Sequence, residues 1–307
     1  MKMINTKEVL HILPDNIKKC ISLHNVNNLQ EIRIRAESQI ILQVGEKEII
    51  TNYVASLEDI KSILQRMSNY SIYAYDEEIR QGYITIKGGH RVGICGRCVL
   101  ENNEIKTIRE PASLNIRICK EVIGCSNKIM TYIIGKNTIQ NTIIISPPKC
   151  GKTTLLRDIA RNVSNGINDM NFKGRKVSVI DERSEIAACF NGVPQLKVGL
   201  RTDVLDSCPK SKGMMMAIRS MSPDVIICDE IGTVQDVDSM IMAMNSGVNL
   251  ITTIHGYGID DLYERSVFKE IINNKVFKIA VVLSNKEGVG TIEYIYNFND
   301  EKVIIRR

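Results

Sequence analysis

Short apolar runs alternate with stretches of helical spacing through the second part of the chain. Residues 142–145, 176–180, 224–228 and 249–253 have the length and composition of buried strands, whereas residues 153–163, 213–221 and 234–245 have helical spacing. Apolar strands that alternate with helices are typical of a parallel sheet covered on both faces. The pattern therefore predicts an α/β fold with a mostly parallel sheet.

The first part of the chain mixes shorter elements. Residues 31–35 and 40–44 predict two paired strands, and residues 57–67 predict a helix behind the cap Ser56. Strand-like residues 83–86 and 91–95 flank Lys87-Gly-Gly-His90, which is a hairpin signal. This part is predicted to be a small α+β domain. A Gly/Ser/Asn stretch at residues 124–127 and a helix at 128–134 then divide the chain into predicted domains 1–127 and 128–307.

Residues 146–154, Ser-Pro-Pro-Lys-Cys-Gly-Lys-Thr-Thr, lie between the first apolar strand and the first helix of the second part. They end in the Gly-Lys-Thr of a phosphate-binding loop, and a strand before and a helix after are the context that this loop needs. Backbone N–H groups after Pro148 can surround the β-phosphate, Lys152 can neutralise charge, and the Thr153 hydroxyl can hold Mg²⁺. The residues predicted to bind the nucleotide are Ser146, Pro147, Pro148, Lys149, Cys150, Gly151, Lys152, Thr153 and Thr154.

One position departs from the usual loop pattern, which would have glycine in place of Ser146. If the turn requires a positive φ there, serine costs about 1 kcal/mol, which is tolerable. The alternative is a chance Gly-Lys-Thr at a helix start, and the flanking strand and helix disfavour it. We therefore expect ATP and Mg²⁺ to bind here.

Two of the apolar strands end in a pair of carboxylates. Asp229 and Glu230 are expected at the sheet edge where the phosphate loop opens. Asp229 would hold Mg²⁺ together with Thr153, and Glu230 would orient or deprotonate the attacking water. Asp181 and Glu182 end another strand, so Glu182 competes with Glu230 for the role of catalytic base.

The second acidic pair also has a structural alternative, a salt bridge from Asp181 and Glu182 to Arg183 or Arg201. An arginine that completes the site cannot be chosen from the sequence. The candidates are Arg91, Arg109, Arg117, Arg201 and Arg219.

His255 follows the apolar strand that comes after Glu230. With the usual right-handed crossover, it would lie beside the γ-phosphate and respond to its presence or loss. The alternative is a histidine on the surface or in a cap. Its place after a buried strand favours the functional interpretation.

Composition narrows the function classes. The chain has 307 residues, 44% hydrophobic and 24% charged, which is typical of a soluble globular protein. No apolar stretch reaches the length of a membrane span, and residues 1–11 lack a signal-peptide pattern. The net charge of +5 is spread along the chain, and aromatic residues are few, which disfavours nucleic acid as a partner. Any membrane role is expected to come through a partner protein.

The nine cysteines form an odd and scattered set, which favours reduced thiols packed as small hydrophobes. Cys95-Gly-Arg-Cys98 has no second pair at zinc spacing, so buried or edge thiols compete with a metal or redox role. Cys150 lies inside the phosphate loop, where oxidation could block nucleotide binding.

Several separated motifs resemble known ATPases. The phosphate loop, Asp181-Glu182-Arg183, residues 219–224 and Thr252-Thr-Ile-His255 resemble the secretion ATPases of type II and type IV systems. Over nearly its whole length the chain resembles still more closely the family of stage III sporulation protein AA of endospore-forming bacteria. The motifs that carry this likeness are residues 71–75 (Ser-Ile-Tyr-Ala-Tyr), 88–93 (Gly-Gly-His-Arg-Val-Gly), 113–117 (Ser-Leu-Asn-Ile-Arg), 152–158 (Lys-Thr-Thr-Leu-Leu-Arg-Asp) and 181–185 (Asp-Glu-Arg-Ser-Glu).

The resemblance implies a RecA-like ATPase core behind an N-terminal domain, and assembly into a hexameric ring. It also implies a cytoplasmic motor in the mother cell that docks on membrane proteins of the channel between mother cell and forespore. Two other functions stay open at this point. One is a nucleotide-gated scaffold without useful turnover, and the other is a nucleic-acid-associated ATPase, whose stimulation by DNA or RNA would fall with salt.

Overall fold

The computed structural model describes residues 7–71, 75–135 and 138–306. The chain forms two compact units, Met1–Lys120 and Glu121–Arg307. The predicted boundary at residue 127 lies a short distance beyond this division. Positions 72–74 of the motif at 71–75, and the first six residues of the stretch without a signal-peptide pattern, lie outside the described residues.

The first unit is built on a six-stranded antiparallel sheet with the order β3-β2-β1-β6-β5-β4. Its described helices and strands are α1 (Lys7–Ile12), α2 (Asp15–Ser22), β1 (Leu29–Arg35), β2 (Ser38–Val44), β3 (Lys47–Ala55), α3 (Leu57–Met67), α4 (Asp76–Arg80), β4 (Tyr83–Ile86), β5 (His90–Glu101) and β6 (Glu104–Arg117). Apolar residues of the helices and of the inner sheet face pack into one core.

Helix α3 begins and ends where the sequence predicts. The Ser56 hydroxyl accepts the Asp59 N–H at 3.1 Å, and the Asp59 carboxylate accepts the Ser56 N–H at 2.9 Å. This reciprocal cap satisfies N–H groups that the first turn leaves without helical partners. Ile60, Ile63 and Leu64 are buried on the helix face that meets the core.

Strands β5 and β6 form a long hairpin whose outer part is exposed on both faces. The register shifts beside Gly96, where a Cβ would lie only 2.7 Å from the Glu110 carbonyl oxygen. Cys95 and Cys98 lie on this part of β5 as exposed free thiols. Over residues 7–71, 75–135 and 138–306, no group of three or more His, Cys, Asp or Glu side chains could hold a metal ion.

The second unit is built on an eight-stranded sheet with the order β13-β12-β14-β15-β9-β16-β17-β18. Its described helices and strands are α5 (Asn127–Ile133), β7 (Ile134–Gly135), β8 (Thr138–Ile139), β9 (Thr142–Ser146), α6 (Lys152–Asn165), β10 (Gly166–Ile167), β11 (Phe172–Lys173), β12 (Val177–Asp181), β13 (Thr202–Asp206), α7 (Lys210–Ser220), β14 (Val225–Cys228), α8 (Val234–Asn245), β15 (Asn249–His255), α9 (Asp260–Glu264), α10 (Lys269–Asn273), β16 (Ile279–Ser284), β17 (Thr291–Asn297) and β18 (Lys302–Arg306).

The strands from β13 to β16 in this order are parallel, and β17 and β18 are added antiparallel at one end. Separate apolar clusters cover the two faces of the sheet. The predicted mostly parallel sheet is therefore confirmed. No helix in the part of the chain that the structure describes is long and apolar enough to cross a membrane.

Strand β9 lies between β15 and β16, and all five of its residues are buried. The buried side chain of Asn141, just before it, connects three segments. Its Nδ2 donates to the Val276 carbonyl at 2.9 Å, and its Oδ1 accepts the Leu250 N–H at 3.0 Å. This amide fixes the start of β9 against β15 and against the chain that leads into β16.

Asp158 of helix α6 holds the segment that precedes α5. Its carboxylate accepts the N–H groups of Gly124 (3.0 Å) and Ser126 (2.9 Å), the Ser126 hydroxyl (2.8 Å) and the side chain of Arg161 (2.8 Å). Burial by itself would raise the pKa of Asp158, but these donors outweigh it and lower the pKa. The segment at residues 124–126 is thereby attached to the helix that follows the phosphate loop.

Candidate nucleotide site

The phosphate loop leaves the sheet at the end of β9. Ser146 is the last residue of that strand, and positive φ values occur instead at Lys149 (62°) and Gly151 (85°). The condition for a strain cost at serine, a positive φ at this position, is therefore not met, because Ser146 has the extended backbone of a strand. Gly151 takes the left-handed conformation that glycine adopts without strain, and helix α6 begins at the next residue, Lys152.

Lys152 and His255 are in direct contact. Lys152 Nζ lies 2.6 Å from His255 Nδ1 and 3.4 Å from the Ser146 carbonyl oxygen. Because an ammonium only donates, Nδ1 accepts, and Nε2, 3.0 Å from a Glu230 oxygen, carries the proton. Burial lowers the pKa of Lys152, while the charges of Asp229 and Glu230 oppose that shift.

Thr153 and Asp229 meet at the predicted metal position. Thr153 Oγ1 donates to Asp229 Oδ2 at 2.6 Å, and Thr253 Oγ1 donates to Asp229 Oδ1. The same Thr253 hydroxyl accepts the Glu230 N–H at 2.9 Å. Thr253 was not predicted from the sequence, although it lies in the Thr-Thr-Ile-His stretch that ends at His255. Its hydroxyl fixes both residues of the acidic pair that follows β14.

Glu230 lies between a histidine and an arginine. Its backbone has a positive φ of 46°, and its two carboxylate oxygens contact His255 Nε2 and Arg183 Nη1, the latter at 2.9 Å. Lys152, His255, Glu230 and Arg183 thus form a continuous chain of polar contacts. This chain runs from the start of α6 to the loop that follows β12.

The acidic pair at the end of β12 has divided roles. Asp181 is buried and accepts backbone N–H groups from Glu185 (2.8 Å), Ile186 (3.0 Å) and Ala187 (2.8 Å). Burial raises the pKa of Asp181, and these N–H groups oppose the rise. Asp181 therefore shapes the loop after β12, whereas the Glu182 carboxylate is bound to Lys210.

Arg183 and Arg201, the two arginines that the sequence suggested as salt-bridge partners of this pair, contact other groups. Arg183 contacts Glu230, and Arg201 donates to the Ser164 carbonyl at 3.0 Å. Arg157 of α6 holds the loop after β12, because its buried guanidinium donates to the carbonyls of Glu185 and Ile186. The phosphate-loop helix and the loop after β12 are therefore directly connected.

A polar cavity of about 570 Å³ opens beyond Glu230. Its ionisable lining residues are Glu182, Arg183, Lys210, Glu230, Asp236, His255 and Arg265. Neither Arg183 nor Arg265 was among the arginines that the sequence suggested for completing the site. The cavity adjoins Glu230 and His255 on the side away from the phosphate loop's lysine.

The residues at this sheet edge fit a nucleotide with magnesium. Carboxylate and hydroxyl oxygens, as supplied by Asp229 and Thr153, are ligands that Mg²⁺ prefers, and Mg²⁺ commonly takes its remaining ligands from phosphate and water. Gly151, at the start of α6, leaves room for backbone to approach a phosphate. Lys152 places a positive charge at the same point.

Comparison with known proteins assigns the family. The family described as "Sporulation stage III, protein AA" matches residues 3–303. The stage III sporulation protein AA of Bacillus subtilis (strain 168) is 42% identical over 302 residues, which cover 97% of this chain and 97% of that protein. The predicted family is confirmed.

Solved structures show the same fold. The ATPase DotB of Legionella pneumophila has a TM-score of 0.59 at 15% identity, over 93% of this chain and 80% of DotB. The pilus retraction motor PilT, solved with bound ADP, has a TM-score of 0.58 at 15% identity, over 90% of this chain and 77% of PilT. These likenesses confirm the predicted fold class, a RecA-like α/β core with a smaller N-terminal domain.

Proposed function

Because the chain belongs to the family of sporulation stage III protein AA, we propose that it is a magnesium-dependent ATPase motor. Its work would be to energise or assemble the channel between mother cell and forespore during sporulation. Its fold is shared with the ATPase DotB and with the pilus retraction motor PilT, which supports the motor class.

The observation that carries this proposal is the 2.6 Å hydrogen bond between Thr153 and Asp229, beside the Lys152 ammonium. A hydroxyl from the start of α6 and a carboxylate from the end of β14 are 76 residues apart in sequence and meet at one point. This is the arrangement that phosphoryl transfer requires, since a metal and a lysine must act on the same phosphates.

Each residue of the site has a defined task in this proposal. The loop N–H groups and Lys152 bind the β- and γ-phosphates and stabilise the charge that develops between them. Thr153 and Asp229 would hold magnesium, which would supply further positive charge to the same oxygens. His255 lies against Lys152, so it detects whether Lys152 is engaged by a γ-phosphate.

Glu230 is the proposed base that orients the attacking water. It follows Asp229 directly and contacts His255 at 3.0 Å, which supports a position for it beside the terminal phosphate. Glu182 is the second candidate, and its carboxylate is bound to Lys210. Exchange of each glutamate for glutamine distinguishes them, because loss of the base reduces turnover more than nucleotide binding.

We further propose that the chain works as a hexameric ring in the mother-cell cytoplasm and reaches the membrane only through proteins of the channel complex. Arg183 and Arg265 line the open cavity beyond Glu230 and leave room for a group from a neighbouring subunit. If subunit contacts complete the site, the specific ATPase rate should rise steeply with protein concentration.

Replacement of Lys152 by alanine tests the proposal. Phosphate release by the purified protein with ATP and Mg²⁺ should be abolished in Lys152→Ala, whereas the exposed control Lys173→Ala should retain the wild-type rate. Unchanged turnover in Lys152→Ala would refute the site assignment. Tight ATP binding by the wild type without steady phosphate release would refute the motor and favour a nucleotide-gated scaffold.

A further inference from the structure

The turn between β16 and β17 lies against the phosphate loop. Strand β16 is parallel to β9, with Val282 paired to Ile145, so the chain after β16 leaves the sheet at the same edge as the phosphate loop. A Cβ built on Gly151 would lie 3.1 Å from Val289 Cγ1, which puts the Val289 side chain in contact with the loop.

This turn has its own internal support. The Gly288 N–H donates to the Asn285 carbonyl at 3.2 Å, and the Thr291 hydroxyl donates to the Gly288 carbonyl at 2.8 Å. Lys286 Nζ lies 3.2 Å from a Glu293 oxygen of β17. These contacts hold the turn to the start of β17.

Val289 is an apolar side chain in an unusual setting. It is 73% exposed although it touches the phosphate loop. Its neighbours are Gly288 and Gly290, both at positive φ, so no adjacent side chain shields it. An exposed apolar group beside a polar site gains free energy when a ligand covers it.

The direction of a bound nucleotide follows from the order of the strands. Asp229 and Glu230 follow β14, and His255 ends β15, so the groups that would handle the terminal phosphate all lie on one side of β9. Val289 follows β16, which lies on the other side of β9. With the γ-phosphate held toward β14 and β15, the nucleoside end extends toward the turn after β16.

We propose that residues 285–290 form the nucleoside subsite, with Val289 as the apolar surface on which the ribose and base of the nucleotide rest. This inference rests on the proposed function, since it assumes that the phosphate loop binds a nucleoside triphosphate. Val289 thereby contributes affinity for the nucleoside and none for the phosphate chain.

Calorimetric titration with two ligands, ATP and inorganic tripolyphosphate, each with Mg²⁺, separates the affinity for the nucleoside from the affinity for the phosphate chain. The variant Val289→Ser should bind ATP about five to ten times more weakly than wild type. Its affinity for tripolyphosphate should be unchanged. The control Val193→Ser alters another exposed valine of the same unit and should bind both ligands as wild type does. Val289→Leu keeps an apolar side chain at this position and should bind ATP as wild type does.

Two results would overturn the subsite. Unchanged ATP affinity in Val289→Ser is the first, and loss of ATP affinity in Ile123→Ser in the same assay would then assign the apolar surface to Ile123, an exposed residue close to Thr154. An equal loss for ATP and tripolyphosphate in Val289→Ser is the second, because Val289 would then only support the phosphate loop. Failure of the wild type to bind either ligand would instead refute the proposed function and the subsite together.

Discussion

Thr253→Val is the substitution that tests the geometry of the site most directly. Thr253 is fully buried, and its hydroxyl donates to Asp229 and accepts the Glu230 N–H at 2.9 Å. Valine keeps the shape and removes both bonds. A hydrogen bond to a charged group contributes roughly 1.5–3 kcal/mol, and each 1.36 kcal/mol is about tenfold in rate. We therefore expect kcat/KM for ATP to fall about 10- to 100-fold.

The assay is phosphate release measured against Mg²⁺ concentration. Since Thr253 orients Asp229, Thr253→Val should also need more Mg²⁺ for half-maximal activity, an effect that a smaller folded fraction alone would not produce. Thr252→Val is the matched control, because Thr252 is equally buried on the same strand but its hydroxyl accepts only the weak donor Cys228 Sγ, at 3.4 Å. If Thr253→Val matches wild type in both rate and Mg²⁺ requirement, or if Thr252→Val loses as much, the reasoning fails.

Two further predictions concern groups outside the reaction itself. Asp158→Ala should lower the free energy of unfolding in urea by about 3 kcal/mol, because the substitution leaves the buried donors around residue 158 unpaired. The control Asp238→Ala changes an exposed carboxylate and should alter the free energy of unfolding by less than about 0.5 kcal/mol. Because the folded state lowers the pKa of Asp158, the contribution of this carboxylate to stability is complete above the ordinary pKa of 3.8 and is lost as the pH falls through the lowered pKa. The difference in free energy of unfolding between wild type and Asp158→Ala should therefore shrink in acid. Burial raises the pKa of the Cys228 thiol to about 12, so iodoacetamide at pH 8 should modify the exposed Cys95 and Cys98 first. Mass spectrometry of samples taken during the reaction measures the order, and modification of Cys228 at the same rate would contradict the prediction.

Helices with their own local signals were predicted most accurately from the sequence. Helices α3 and α8 have the predicted ends, and each begins with a hydroxyl cap whose partner lies three residues later, Ser56 with Asp59 and Thr233 with Asp236. These signals depend only on neighbouring residues. Tertiary contacts did not have to be known to place them.

Several strands were not predicted from the sequence. Strand β13 has the polar sequence Thr-Asp-Val-Leu-Asp and is recognisable only from its pairing with β12. The outer parts of β5 and β6 are exposed on both faces, so no alternation of apolar and polar residues is imposed on them. Strands β16 to β18 follow short helices and were likewise not predicted.

The candidate site was also predicted only in part. Lys152, Thr153, Asp229, Glu230 and His255 were predicted because motif spacing and strand ends mark them, and the structure brings them together. The contacts that position them come from elsewhere in the sheet. A buried threonine looks like an ordinary strand former, and an exposed valine in a glycine-rich turn looks like any surface loop.

The amide of Asn141 has a consequence for synthesis of the chain. Its partners Leu250 and Val276 lie 109 and 135 residues later, in β15 and in the chain that leads into β16. A nascent chain that has not yet emerged beyond β16 cannot complete either the hydrogen bonds of Asn141 or the pairing of β9. Native contacts this distant in sequence form slowly and late. Ribosome-bound intermediates should therefore acquire affinity for nucleotide only near the end of translation, long after residues 146–154 have left the exit tunnel.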